Sequence, residues 1–350
     1  MPAQPFPRLP RTAGELQAPP QATESTRAPH QAAGDPVTAG DRVTTGDRVT
    51  TVTFSPDGTF LAAGTAAGFV RLFHTRHGRV YGECNFRALV PARLAGIKAL
   101  CFSPDASRLV VGHGCGATVL DTRSLGVQAH LPVTGPVTSV AFSSANAWLA
   151  VATVAASSPG APVSPGAHGR CELRLFDAGS LGLSQTLPVA TPIRSLSFSP
   201  DTDFPPGLES PIFSSPFLWD SEFLAAGCED GTVQMWRVPS RHTPLLAPYA
   251  CLRSAHAGAA DVLQFSRSAQ VLAVGHRSGT LRLWLKGLRL ARELPSRAGR
   301  PLRALAWSGR SDLLATVREG DYIALSRLPT VRLAASALRH PYRPGRRRGR

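Results

Sequence analysis

One repeating pattern leaves this chain little freedom in how it can fold. It runs as a β-type stretch, a Ser-Pro-Asp turn, a second apolar stretch that ends in glycine, another turn and a third stretch. The clearest copy is 52–73, VTFSPDGTFLAAGTAAGFVRLF. Val49, Thr51 and Thr53 alternate with Val52 and Phe54, the period of a strand. Ser55-Pro56-Asp57-Gly58 then reverses the chain, because proline presets φ at its first central position and Asp-Gly accepts the remaining turn conformations. Phe60 to Gly64 reads as a second strand, Ala66-Ala67-Gly68 as a turn, and Phe69 to Phe73 as a third strand.

The same grammar returns at 97–121 (IKALCFSPDASRLVVGHGCGATVLD), 137–177, 193–236, 262–284 (VLQFSRSAQVLAVGHRSGTLRLW) and 302–326. An aromatic anchor closes the first strand of each copy: Phe54, Phe102, Phe142, Phe198, Phe265 and Trp307, at spacings of 48, 40, 56, 67 and 42 residues. The shortest of these is the length of one four-stranded blade, and the longer ones carry insertions. A single such unit cannot bury its own apolar faces, so the copies must stack on one another.

These six copies resemble the WD40 repeat family of β-propellers over Val49 to Leu338, and the degenerate repeats are similar to those of the large centriolar and ciliary WD-repeat proteins. The resemblance implies an all-β fold, a WD40-like β-propeller of about six four-stranded blades near 49–94, 95–134, 135–190, 191–254, 255–298 and 299–338. The Trp-Asp ending that names the family is replaced by Phe73-His74, Leu120-Asp121, Phe176-Asp177, Trp236-Arg237, Trp284-Leu285 and Ser326-Arg327. Outer strands are expected along 79–90, 127–131, 183–187, 249–252, 288–294 and 331–338. In the family, the N-terminus usually supplies the outer strand of the last blade and locks the ring. Here Val331 to Leu338 can complete the sixth blade from its own repeat. Closure of six blades without that lock, membership in a longer set of repeats, and association with another chain all remain open at this point.

The 350 residues carry a formal charge of +15, unevenly distributed. Residues 171–231 hold nine acidic and two basic side chains, a net of −7, whereas 232–350 hold 22 basic and five acidic, a net of +17. Asymmetry of that size points to a partner with a charged surface. The six cysteines are scattered, without a CxxC pair, and several fall within expected strands, which fits a reducing compartment. The N-terminus lacks the apolar run of a secretory signal and no segment has the length of a membrane span, so a soluble, cytoplasmic protein is expected.

Residues 1–48 are rich in Pro, Ala, Gln and Thr, and read as a disordered lead that includes a PxxP match at Pro7-Arg8-Leu9-Pro10. At the other end, 339–350 (RHPYRPGRRRGR) contains six arginines and no acid, and Arg346, Arg347 and Arg348 form its densest run. Such a tail suits a nuclear-localisation, nucleic-acid or acidic-surface role. Two insertions interrupt the repeats. Residues 154–170 are Ala/Ser/Pro/Gly-rich and read as a spacer, whereas 201–221 bring Phe204, Phe213, Phe217 and Trp219 among prolines and acids, a candidate contact loop. The two loops must leave opposite rims, because antiparallel strands alternate direction.

The residues offer no catalytic constellation. There is no HExxH, and Gly112-His113-Gly114-Cys115-Gly116 lies on a hairpin turn rather than between a strand and a helix, so its glycines serve turn geometry. The expectation is a non-enzymatic protein-interaction scaffold with no cofactor and no metal. Its candidate partner-binding residues are the loop aromatics together with the rim arginines Arg277, Arg297, Arg300 and Arg318, beside acidic Glu229, Asp230 and Glu319. The partners expected are proteins with acidic surfaces, microtubules among them, in a cytoplasmic, centrosomal or ciliary setting. The alternative is a nuclear adaptor in a ribonucleoprotein, chromatin or ubiquitin-ligase complex, with nucleic acid as the partner of the tail.

Overall fold

A computed structural model describes residues 47–89, 96–133, 135–154, 171–200, 222–239, 245–253, 258–267, 269–285, 288–295, 299–307, 313–318 and 323–327. Their strands fall into six antiparallel sheets in chain order, the blades. Blade one consists of β1 (Val49–Phe54), β2 (Phe60–Thr65), β3 (Phe69–His74) and β4 (Arg79–Asn85), followed by a four-residue helix, α1 (Phe86–Leu89). Blade two has β5 (Ile97–Phe102), β6 (Arg108–His113), β7 (Gly116–Asp121) and β8 (Val127–His130). Blade three has β9 (Val137–Phe142), β10 (Trp148–Val154), β11 (Cys171–Asp177) and β12 (Leu183–Val189). Blade four has β13 (Ile193–Phe198), β14 (Phe223–Cys228), β15 (Val233–Arg237) and β16 (Ala247–Leu252). Blade five has β17 (Ala260–Phe265), β18 (Val271–His276), β19 (Leu281–Leu285) and β20 (Arg289–Leu294). Blade six shows β21 (Leu302–Trp307), β22 (Leu313–Arg318) and β23 (Ile323–Arg327), and its expected fourth strand, 331–338, lies outside the described residues.

One expectation is corrected. The outer strand of blade one stops at Asn85 rather than continuing to residue 90, and the chain turns into α1. The Phe86 amide bonds to the Gly68 carbonyl at 3.0 Å, and the Phe86 ring is fully buried between blades one and two, beside the His113 ring. Burying a large aromatic side chain outweighs one more rung of an exposed edge ladder.

The core lies between blades, as stacked repeats require. Leu72, Ile97, Phe102, Leu109 and Leu120 fill the space between blades one and two, and Leu173, Leu175, Ile193, Phe198 and Leu224 that between three and four. The innermost strands pack in series, β1 on β5, β5 on β9, β9 on β13, β13 on β17 and β17 on β21. A bulge near the start of each inner strand recurs in all six blades, between Val49 and Thr51 in the first and between Leu302 and Ala304 in the last. Bulges raise the local twist, so the recurrence gives each sheet the same coiling.

Small residues set the distance between blades. A Cβ at Gly64 would lie 2.5 Å from Ile97 of the next blade, and one at Gly112 2.6 Å from Val137. Gly227 comes as close to the Ala260 carbonyl, and Gly275 to Leu302. The pairing registers put Ala152 at this position in blade three and Val317 in blade six. The inner strand of the next blade therefore sits where a larger side chain would stand.

Candidate partner-binding surfaces

The hairpins that join first to second strands share one rim, and those that join second to third strands share the other. The aromatic insertion leaves the first rim and the spacer the second, as the strand directions require. Phe204, Phe213, Phe217 and Trp219 lie outside the described residues, which include the stem of their loop at 199–200 and 222–223. Ser199 closes it, donating its amide to the Phe223 carbonyl at 2.7 Å and accepting the Phe223 amide on its hydroxyl at 2.8 Å. Glu222, at the loop's exit, accepts the Ser144 amide at 3.0 Å and so ties the stem to blade three. Sequence reasoning missed that link, because nothing marks Ser144 and Glu222 as neighbours until the blades are stacked.

On the opposite rim the structure brings together Arg277, Arg318, Glu229 and Asp261. Arg277 donates two hydrogen bonds to the Asp261 carboxylate, at 3.0 and 3.1 Å, and stands 4.0 Å from Glu229. The paired carboxylate raises the pKa of the Arg277 guanidinium above its usual value. Glu229 is bonded more closely to Arg194 at 2.5 Å, so the acid and base of blades four and five neutralise one another in a network. Arg318 directs its Nε to the Gly279 carbonyl at 3.4 Å, joining blade six to the turn of blade five. Arg318 thus joins neighbouring blades, whereas the hydrogen bonds of Arg277 stay within blade five and it reaches blade four only through Glu229 at 4.0 Å. Arg300 is exposed at the entry to β21, whereas Arg297, Glu319 and Arg346 to Arg348 lie outside the described residues. Asp230 accepts the amide and hydroxyl of Thr232 and shapes its own turn.

His113 and Cys115 are both engaged within their hairpin. The Cys115 amide donates to His113 Nδ1 at 3.3 Å, His113 Nε2 faces the Thr118 hydroxyl at 3.1 Å, and that hydroxyl also meets His130 at 3.1 Å. Burial first, and the nearby His130 second, push the His113 pKa down to about 4. The arrangement is a hydrogen-bonded core histidine.

A further surface escaped the sequence reading. Phe54 is 64% exposed and Val52 59%, although the matching anchors Phe102, Phe142 and Phe198 are all buried. At the other end of the series Leu325 is 69% exposed, whereas Leu72, Val119, Leu175 and Leu283, in the same register position, are fully buried. Among the described residues β21 and β1 share no packing comparable to that of the other inner strands, so the outward faces of blades one and six both stay uncovered.

The family model for the WD domain, G-beta repeat, matches residues 40–74, which include β1 to β3 of blade one, and 183–237, which span the outer strand of blade three and β13 to β15 of blade four. Among curated proteins none matches the chain. Propellers of this family bind other proteins. With six blades stacked through their inner strands and the family model matching two separate stretches, the chain folds as a WD40-type repeat β-propeller.

Proposed function

We propose that this protein is a non-enzymatic scaffold that assembles other proteins, and that the partner of its C-terminal half presents an acidic surface. The observation that carries this reading is the exposed arginine set on blades five and six: Arg267, Arg289, Arg292, Arg300 and Arg303. They stand within 232–350, whose net charge is +17. A net field of one sign steers an oppositely charged partner and fixes its orientation. The microtubule wall, within a centriolar or ciliary assembly in the cytoplasm, is the acidic surface this reading names. Co-sedimentation of the protein with stabilised microtubules should give pelleting at low salt that is released at high salt and weakened in an Arg289→Glu/Arg292→Glu variant. Absence of salt-sensitive pelleting would sink it.

The tail supports a second reading, a nuclear adaptor in a ribonucleoprotein, chromatin or ubiquitin-ligase complex, through Arg346, Arg347 and Arg348. Removing 339–350 should then abolish nuclear accumulation, and unchanged location would dismiss this alternative.

A further inference from the structure

The five interfaces between blades share one construction rule. The face that each blade turns to its predecessor carries a first-strand aliphatic and aromatic pair: Leu100 and Phe102, Val140 and Phe142, Leu196 and Phe198, Leu263 and Phe265, Leu305 and Trp307. The face turned to its successor carries a third-strand apolar residue and, near the end of the second strand, Gly64, Gly112, Ala152, Gly227 or Gly275. Blade one has a complete face of the first kind in Val52 and Phe54, and blade six a face of the second kind in Leu325 and Ala315, with Ala304 and Ala306 exposed beside them. Both are uncovered, and they are complementary in type.

One position in blade six departs from the rule. Val317 takes the position of Gly64 and its counterparts. The residue it would face is the head of an inner strand, the position of Ile97, Val137, Ile193, Ala260 and Leu302 in the formed interfaces and of Val49 in blade one. At Gly64 and Gly275 a bare Cβ would already stand 2.5 Å from such a head residue. Val317 against Val49 therefore sets two β-branched side chains in a space built for one, and overpacking of that kind is costly. The blade one of a second copy presents the same Val49.

Arg71 points the same way. Its counterpart Arg174 pairs with Glu172 and also donates across the interface to the Pro132 carbonyl of the preceding blade, whereas the partner of Arg71 among the described residues is Glu83 of its own blade. A sheet seated on blade one would bring a backbone carbonyl within its reach.

We infer that the opening between blades one and six accepts a single blade from another polypeptide. The partner is an antiparallel sheet of three or four strands, apolar on both faces, with Ala or Gly at the head of its inner strand to clear Val317. Docking of this kind covers both faces at once and closes the series through contacts the molecule already uses five times. It is independent of the basic surface of blades five and six.

Blade five supplies a probe that meets the requirement, since its inner strand begins with Ala260 and its second strand carries Gly275. Residues 255–298, carried on a soluble fusion protein, should bind the intact chain one to one in calorimetry. Residues 95–134, with Ile97 at the head position, should bind about tenfold more weakly or worse, and Val317→Gly in the acceptor should narrow that difference. Phe54→Glu and Leu325→Glu should each weaken binding at least ~10-fold while leaving the unfolding midpoint in place, because both side chains are already exposed. Leu183→Glu, on an outer strand away from the opening, should change nothing.

A second measurement does not depend on a lone blade folding. The chain with 255–298 repeated after residue 338 should show a raised thermal midpoint and slower hydrogen exchange in β1 and β22. If that tandem protein gains neither, the opening accepts no blade and the inference falls. If it gains both while the carrier-borne blade fails to bind, supply from another polypeptide is overturned. Self-association of the intact chain that Phe54→Glu abolishes would make a second copy the occupant, and would equally overturn it.

Discussion

The Ser143 hydroxyl is fully buried at the corner between β9 and β10, where it accepts the amides of Ala147 at 3.1 Å and Trp148 at 2.9 Å. Ser55, Ser103, Ser199 and Ser266 do the same for Phe60, Arg108, Phe223 and Val271. The hydroxyl lets a tight corner turn inside the protein without stranding an amide. Ser143→Ala removes the acceptor and leaves the buried donor, so it should cost ~1–2 kcal/mol in urea unfolding. His113 makes a second prediction at this scale. Its pKa of about 4 in the fold lies below the ordinary value near 6.5, so between those pH values the unfolded chain takes up a proton that the native one refuses. This contribution is present above about pH 6.5 and is lost as pH falls toward 4. The thermal midpoint should accordingly drop between pH 7 and 5, and His113→Gln should flatten that slope; an unchanged slope would assign the acid sensitivity elsewhere.

At the scale of the strand, the end of the second strand governs how closely blades approach. Gly112→Val would drive two methyl groups into Val137, whose Cγ1 lies 2.6 Å from where even a Cβ would be. Overpacking at such a site should cost ~3 kcal/mol or prevent folding, measurable as a large fall in urea midpoint, whereas Gly58→Ala, with open space around it, should lose less and only through its positive φ. Much of this element grammar was legible in the sequence. The strands, the Ser-Pro-Asp corners and the places of both insertions follow from period and turn chemistry alone. The departure at Val317 was also visible, in LLATVRE set beside LVVGHG and LAVGHR, but its meaning depends on knowing which residue stands opposite. The end of β4 was misread because Phe86 looks like one more strand residue until the neighbouring blade gives it a cavity. Arg277 was legible as a rim residue, but its capture by Asp261 was not, since pairing across a hairpin turns on register. Phe54 reads in the sequence like the other five anchors. Only its place at the end of the series leaves it uncovered.

Over the whole molecule the blades form a line of nearest neighbours, and stability in such a line comes from interfaces as much as from the units themselves. Blades two to five are packed on both faces, whereas blades one and six are packed on one. Local opening should therefore begin at the ends of the line, where an unzipping blade gives up a single interface. Hydrogen exchange should show β10 and β14, whose residues are nearly all buried, as the slowest strands, and β1 and β22 as faster by a margin that grows with denaturant. Equal protection across all six blades would mean that the molecule opens as one cooperative unit, and would contradict the additive picture. The same experiment reports on the opening itself. Any ligand that spans blades one and six adds two interfaces to the least protected part of the line, so it should slow β1 and β22 together and leave β10 and β14 almost unchanged. A ligand held by the arginines of blades five and six has no reason to protect β1. The strand that slows therefore distinguishes a partner seated in the opening from one steered by charge to the basic half.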